Sequence, residues 1–531
     1  MLVNFSTRKD KEDEPTAMYQ QQKEPMSQKA KRYWALGIVI VVLVAALLIW
    51  HTFFYGNERA VAATVGDQEY TVTEVSYYYN TVANSYIAQA QQYQQFGVDM
   101  GYDTSLTPAQ QMYNEEEGVT YADYFLQQAL DQLQQVTILC RQAEEEGYTL
   151  SDAGKQTVQN NMDSLYTYSV QSGLGSESAY IKANYGRNMS KSKLEEMLTN
   201  AILADEYAKQ KQASFTYTDE DLEAYYQEHP ADLDSYNYRF CYINANFPSS
   251  TTDEEGNTVE PTDEENQAAM DEAKTKADAM VAQVQGGTAF NTAAKEYLDE
   301  TSAESYSDPE YNHKNGDLGV SLTSTYKDWL TDDARQAGDI TAIEVSNTGY
   351  CVVQFLGRQK DDSRYQTMTY RTIQVLAETT PSEDGSTALP TEDQLTAAKD
   401  EAQSLLDEWK AGDATADSFA ALAQEKSTDE STKSNGGLVE DANRDSLDTT
   451  LTDWLFADGR KAGDTTVVES TDSSGNVVGY QILYFQDFGQ IAWKYQADSS
   501  LRTADYNDWY SQMQEEYPAE LTDAGKNIPN L

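Results

Sequence analysis

Few residues of this chain are equipped for bond-making chemistry. Its 531 residues include three cysteines, Cys140, Cys241 and Cys351, and three histidines, His51, His229 and His313. No CxxC pair and no His-rich spacing is present, so no metal centre has a ready ligand set. A Ser-His-Asp triad is equally hard to build, because it needs a histidine held between a nucleophile and a carboxylate. No metal and no cofactor is expected. His313 stands in a loop just before Gly316 and reads as a surface residue.

The elements that would position a site appear twice. One stretch carries Asn315-Gly316-Asp317-Leu318, Trp329-Leu330, Ala337-Gly338-Asp339 and Gly349-Tyr350 leading into Val352-Val353-Gln354-Phe355. A later stretch carries Asn435-Gly436-Gly437-Leu438, Trp454-Leu455, Ala462-Gly463-Asp464 and Gly479-Tyr480 leading into Ile482-Leu483-Tyr484-Phe485. Order and approximate spacing agree, which marks a duplicated domain. Each copy opens on a strand-like run, Tyr238 to Ile243 in the first and Tyr370 to Val375 in the second. A polar loop, a long helix, a short helix starting at Phe290 or Phe419, the glycine turn, the tryptophan helix and a last strand follow in each. This order predicts a small α+β domain with a mainly antiparallel sheet, at residues 236–358 and again at 366–488.

Ahead of the repeats, residues 56–235 read as helical. A short hairpin is expected around Gly66-Asp67, with a Tyr- and Gln-rich helix opening at Thr73. Thr120 and Asp123 have the spacing of a capping box, and Leu126, Leu130, Leu133, Thr137 and Cys140 follow on one helical face that ends near Gly147. Cys140 reads as a small buried hydrophobe on that face. A further helix carries Leu194, Leu198, Ala201, Ala204 and Ala208, and Thr218 with Asp221 caps another that stops at Pro230. The interspersed tyrosines and glutamines fit two descriptions: ordinary helix surface, or an adaptable surface for unfolded polypeptide.

The run from Trp34 to Trp50 carries no charge, and a helix of about 20 such residues crosses roughly 30 Å of hydrocarbon. Lys29, Lys31 and Arg32 precede it, so the expectation is a cytoplasmic tail (1–32), a transmembrane signal anchor (33–55) and an extracytoplasmic remainder. A cleaved signal peptide is the competing reading, with Ala60 to Ala63 as its small-residue site; the long tail and long apolar run favour an uncleaved anchor. The net charge is -51, while the tail holds seven Lys and Arg against five Asp and Glu, so the acidity belongs to the remainder. Nucleic-acid binding lacks the basic footprint it requires. A solvated acidic surface is the plain reading, with attraction of basic clients or divalent cations as the sharper one.

The repeated pieces resemble the parvulin family of peptidyl-prolyl cis-trans isomerases. They are the Phe-x-x-x-Ala helix (Phe290 to Ala294, Phe419 to Ala423), a Ser-x-Asp-like segment, Gly-(Gly/Asp)-Leu and the closing Gly-Tyr strand. The helical region, from Ala63 to Asn80 and again from Tyr217 to Pro230, resembles the N-terminal chaperone domain of SurA- and PrsA-type exported folding factors. The resemblance implies that Tyr506 to Tyr517, within a C-terminal helical segment (489–531), packs back on that domain. It implies a foldase acting on unfolded or proline-containing exported polypeptides. A catalytically inactive holdase or peptide-binding scaffold is one alternative, and a cell-surface adhesion or assembly component is another.

Prolyl isomerisation makes no covalent product; its barrier of about 18–20 kcal/mol reflects the partial double bond of the amide. The resemblance places the family's two histidine positions at Cys241 and Cys351 in the first repeat and at Thr372 and Gln481 in the second. The family's acidic position falls at Asp308 or Pro309 and near Asp429, and its pocket aromatic at Trp329 and Trp454, for which plain core is the other reading. Neither repeat keeps a histidine, so the enzyme assignment stays open. The resemblance further implies that Cys241 and Cys351 face each other on adjacent strands, either as a disulfide or as two buried thiols.

Overall fold

The computed structural model describes residues 59–96, 98, 100–252, 258–259, 261–379, 389–472 and 474–530. The expected tail and membrane span lie outside these residues, and no described helix is long and apolar enough to cross a membrane. The described chain divides into two units: residues up to Lys211 together with those from Asn507 on, and Gln212–Tyr506.

In the first unit, strands Val61–Val65 and Gln68–Thr71 form the hairpin, turning at Gly66 with φ 57°. The following helix, Val72–Gln95, starts one residue earlier than expected. Thr71 caps it, its hydroxyl accepting from the Glu74 N–H while the Glu74 carboxylate accepts from the Thr71 N–H at 2.8 Å. Helix Tyr121–Glu146 begins at the Thr120–Asp123 capping box and ends at Gly147, which is left-handed. Cys140 lies on it half-buried, its thiol donating to the Asn200 carbonyl at 3.3 Å.

The C-terminal segment closes this unit. Strand Ala519–Leu521 pairs antiparallel with Val61–Val65, and Gln134 Nε2 donates to the Tyr517 carbonyl at 2.8 Å. A helix was expected here, and Ala492–Glu516 supplies it; the closing strand was not expected. Ala-Glu-Leu has little intrinsic strand preference, and its pairing partner decides its conformation. The tyrosines divide between the two descriptions offered for them. Tyr77, Tyr78, Tyr79, Tyr102 and Tyr121 are core, whereas Tyr93, Tyr113, Tyr166 and Tyr168 are exposed.

In the second unit each repeat forms a four-stranded, wholly antiparallel sheet. The first has the order His313–Leu318, Ser235–Asn244, Gly349–Gln359, Ile340–Val345, and the second Leu438–Asn443, Thr367–Leu376, Val477–Phe488, Thr465–Thr471. One face of each sheet packs on the long helix, Asp263–Gln285 or Glu392–Ala411, and the other on the tryptophan helix, Ser324–Thr331 or Thr449–Leu455. Leu330 and Leu455 are fully buried at equivalent positions, each worth about 1.5–3 kcal/mol of transfer from water. Residues 212–234 go with this unit and not with the helical one: Trp493 is buried among Leu222, Tyr226 and Leu233 and donates its indole N–H to Asp362 at 2.9 Å.

Several duplicated motifs have the same structural task in both copies. The Ala-Gly-Asp turn docks on the last strand: the Gly338 and Gly463 N–H groups donate to the Phe355 and Phe485 carbonyls, and the N–H groups of those phenylalanines donate to the Asp339 and Asp464 carbonyls. Gly349 and Gly479 allow close approach of the first strand, since a Cβ there would lie 2.2 Å from the Ile243 carbonyl oxygen and 2.3 Å from that of Val375. Gly316 is not in a free turn but inside a strand, at a register slip opposite Tyr236 and Asn237.

Side chains alternate faces along a strand, so register assigns every residue to one side. In the first repeat Cys351 pairs with Tyr242 and Val352 with Cys241. Cys241 joins Ile243 and Val352 beneath the long helix, whereas Cys351 joins Tyr238, Val353 and Leu330 beneath the tryptophan helix. This corrects the expectation that the two cysteines face each other. They lie on opposite faces of the sheet, and both are free thiols.

Alkylation of the native protein, followed by mass spectrometry, should leave Cys241 and Cys351 unmodified and not cross-linked, and denaturation should expose both. A mass deficit of two hydrogens across this pair would contradict the register. Gly437 has φ 71° and a Cβ there would meet the Thr372 carbonyl oxygen at 2.1 Å, whereas Gly459 has φ 78° in open space. Gly437→Ala should therefore destabilise the protein by more than about 2 kcal/mol and Gly459→Ala by about 1, measured by denaturant unfolding.

Candidate active site

The two repeats share a Tyr-Arg pair within their first strand, Tyr238-Arg239 and Tyr370-Arg371. On that alignment Thr372 corresponds to Phe240, not to Cys241, which corresponds to Ile373. The residue paired with Cys351 is Tyr242, and the residue paired with Gln481 is Gln374. Thr372 lies two residues from Gln374 on the same face, diagonal to Gln481. The residues opposite Cys351 and Gln481 thus lie one position beyond Cys241 in the first repeat and two beyond Thr372 in the second, an offset set by strand pairing and not by local sequence.

The second repeat carries a polar row on the sheet face beneath its tryptophan helix. Thr372 Oγ1 donates to Gln481 Oε1 at 3.2 Å. Gln374 Nε2 donates to Ser470 Oγ at 3.2 Å, and Thr428 Oγ1 donates to the Gln374 carbonyl at 3.0 Å. The Thr372 N–H donates to the Gly437 carbonyl at 2.8 Å, tying the row to the double-glycine turn. Thr372 and Ser470 are buried, while Gln374 and Gln481 are half-buried and reachable. The Gln481 amide nitrogen makes no hydrogen bond among the described residues. Val439, Leu451 and Val468 supply the apolar surroundings.

The same face of the first repeat is aromatic. Phe240 takes the place of Thr372, Tyr242 that of Gln374, Cys351 that of Gln481 and Val345 that of Ser470. Phe240 packs 5.8 Å from both the Tyr242 and Tyr326 rings, and Tyr238 packs 5.3 Å from Tyr326. Burial pushes the Cys351 thiol up to about 12 and the Cys241 thiol up to about 11. Both stay protonated at neutral pH and cannot serve as bases or nucleophiles.

The acidic candidates do structural work. Asp429 caps Glu430–Lys433, accepting from the Ser431 hydroxyl and the Thr432 hydroxyl at 2.6 Å each. Burial opposes its charge, but these hydroxyls and the local N–H groups outweigh it and hold the carboxyl below its ordinary range. Its lone pairs are thus already engaged. Asp308 is exposed and accepts from the Glu310 N–H at 2.9 Å, while the carbonyl of neighbouring Pro309 accepts from Arg239 Nη1 at 2.6 Å.

Trp329 and Trp454 are half-buried at the rim of their clusters. Each is covered by an arginine six residues on: Arg335 lies 4.9 Å from the Trp329 ring centre and Arg460 3.8 Å from that of Trp454. Each arginine also reaches the aspartate of the Ala-Gly-Asp turn, Asp339 at 3.7 Å and Asp464 at 3.4 Å. The residues leaning from this helix into the cluster are instead Tyr326 and Leu451, with Leu330 and Leu455. Among the described residues no group of three His, Cys, Asp or Glu side chains is arranged to hold a metal.

A row of neutral donors and acceptors in an apolar setting can hold a peptide amide and hydrogen-bond to its twisted form without transferring a proton. No curated protein sequence matches the chain. Among solved structures it is similar to a SurA-like chaperone of Campylobacter jejuni, described with the virulence factor PEB4 and the periplasmic protein Cj1289 (20% identity, 29% of this chain and 53% of that one, TM-score 0.17). It is similar also to the peptidylprolyl isomerase PrsA of Bacillus cereus (13%, 54% and 98%, TM-score 0.19) and the foldase protein PrsA of Streptococcus pneumoniae (16%, 50% and 92%, TM-score 0.18). The chain spans about half the length of the first of these. Residues 375–487, within the second repeat, match the family model described as Rotamase, PPIC-type PPIASE domain.

Proposed function

We propose that this protein is a foldase in which the second repeat catalyses prolyl cis-trans isomerisation and the first repeat keeps the fold without the catalysis. The observation that carries this reading is the polar row Thr372, Gln374 and Gln481, present on the second sheet and replaced by Phe240, Tyr242 and Cys351 on the first. The family match falls on the same repeat. Bound substrate would lay its proline against Val439, Leu451 and Val468, where the amide loses water. The free Gln481 N–H donates to the substrate as the amide twists, and Thr372 holds the carboxamide in place through its bond to Oε1. A hydrogen bond made more strongly to the twisted form lowers the barrier directly.

Exposed Tyr93, Phe96, Met112, Tyr113, Tyr166 and Tyr168 on the helical unit offer broad contact to unfolded segments of exported proteins. The uncharged run within residues 33–55 supports anchoring in a membrane with the remainder outside the cytoplasm. A holdase without catalysis is the second reading, favoured by the aromatic filling of the first repeat.

Isomerisation of a proline tetrapeptide by the full chain should exceed the buffer rate. Gln481→Ala should lower that rate about tenfold, the equivalent of one lost hydrogen bond in the transition state, and Cys351→Ala should leave it unchanged. A rate equal to buffer for the unmodified chain selects the holdase reading. Because the row holds no titrating side chain, the rate should be flat between about pH 6 and 9, the range in which a catalytic histidine would impose a step. A sigmoidal profile there would contradict a neutral site.

A further inference from the structure

A second candidate site lies where the linker between the repeats meets the second repeat. Two arginines, Arg364 and Arg444, line one cleft there, together with the aromatic side chains of Tyr365, Phe456 and Phe488. The chain is strongly acidic, with 88 Asp and Glu against 37 Lys and Arg. Among the described residues neither Arg364 nor Arg444 forms an ion pair. Arg364 spends one N–H on the Asn315 carbonyl at 2.7 Å. Arg444 stacks on the Phe456 ring at 5.0 Å, and its guanidinium makes no hydrogen bond among the described residues.

No carboxylate among the described residues pairs directly with either guanidinium. Gly316, one of the glycines that mark the duplication, cradles Arg364: a Cβ there would come within 2.3 Å of its Nη1. Asp445 is engaged by Gln366 Nε2 at 2.7 Å, and Asp317 by the Tyr238 hydroxyl at 3.0 Å. Of the two carboxylates lining the cleft, Asp361 accepts from the Ser363 N–H and hydroxyl, and Asp458 is exposed. Tyr365 and Phe488 stack at 4.3 Å and form an apolar shelf. Burial, and then the nearby Arg364 charge, depress the pKa of Arg444, and the more distant carboxylates of Asp445, Asp317 and Asp453 only partly offset them.

We propose that this cleft binds a carboxylate carried by a polypeptide, its two oxygens received by the guanidinium forks and the adjoining apolar side chain resting on the Tyr365–Phe488 shelf. Planar guanidinium groups suit bidentate recognition of a carboxylate, and the aromatic shelf favours a carboxylate beside an apolar residue over a bare inorganic anion. The site is separate from the polar row on the second sheet, and its occupancy does not depend on isomerase activity.

The test is calorimetric titration of the full chain with a tetrapeptide ending in phenylalanine as the free acid, the same peptide as its C-terminal amide, and inorganic phosphate. The acid should bind, with the amide about tenfold weaker, reflecting loss of a charge-assisted pair. Arg364→Gln and Arg444→Gln should each weaken the acid by a similar factor with unchanged melting temperature. If either variant melts early, Arg444→Lys, which keeps the charge and loses the fork, should still bind the acid more weakly than the parent. Gln481→Ala should retain full discrimination between acid and amide, which separates this site from the proposed catalytic one. Equal affinity for acid and amide, parental affinity in the arginine variants, or phosphate binding tighter than the peptide acid would each overturn the proposal.

Discussion

The antiparallel pairing of first and last strand in each repeat is the constraint on which the rest depends. With side chains alternating at period two, the pairs Tyr242–Cys351 and Gln374–Gln481 settle which residues meet the tryptophan helix and which lie beneath the long helix. A slip of one residue would carry Thr372, Gln374 and Gln481 into the apolar cluster of Ile373, Phe419 and Trp409 and would bring Ile373 and Ile482 out in their place. Burying three unsatisfied polar side chains is costly enough to specify the register strongly. Glycines at the start of each last strand reinforce it, because no other residue fits against the Ile243 and Val375 carbonyls.

The duplication is most visible where the two copies do the same structural work. Trp329, Arg335 and Asp339 form one chain of contacts from the tryptophan helix to the turn that docks on Phe355, and Trp454, Arg460 and Asp464 form the same chain to Phe485. These residues identify the domain without touching the candidate chemistry. The copies diverge on one sheet face: aromatic rings interlock in the first repeat, and hydroxyls and carboxamides form a hydrogen-bonded row in the second. One sheet face can diverge while the scaffold is kept, because the packing motifs and this face are carried by different residues of the sheet.

Much of this was legible in the sequence. Capping residues at Thr120 and Thr218, the alternating strands and the duplicated glycine motifs are local signals, and the elements form where those signals stand. What could not be read locally is pairing. The face occupied by Cys241 depends on its partner strand, and its thiol therefore lies across the sheet from that of Cys351. The closing strand Ala519–Leu521 has no strand-forming composition and exists because Val61–Val65 offers an open edge. Gln374 reads as an ordinary polar strand residue until Gln481 is placed opposite it. The unpaired arginines Arg364 and Arg444 are 80 residues apart and become neighbours only through the fold.

The two repeats share a scaffold, and the proposed function requires that they differ in their capacity to hold a prolyl peptide. Hydrogen–deuterium exchange of the full chain, with and without a proline-containing peptide, tests it most directly. The account predicts added protection in Thr367–Leu376 and Val477–Phe488, with Ser235–Asn244 and Gly349–Gln359 unchanged. Equal protection of both strand pairs, or protection confined to the first repeat, would contradict it.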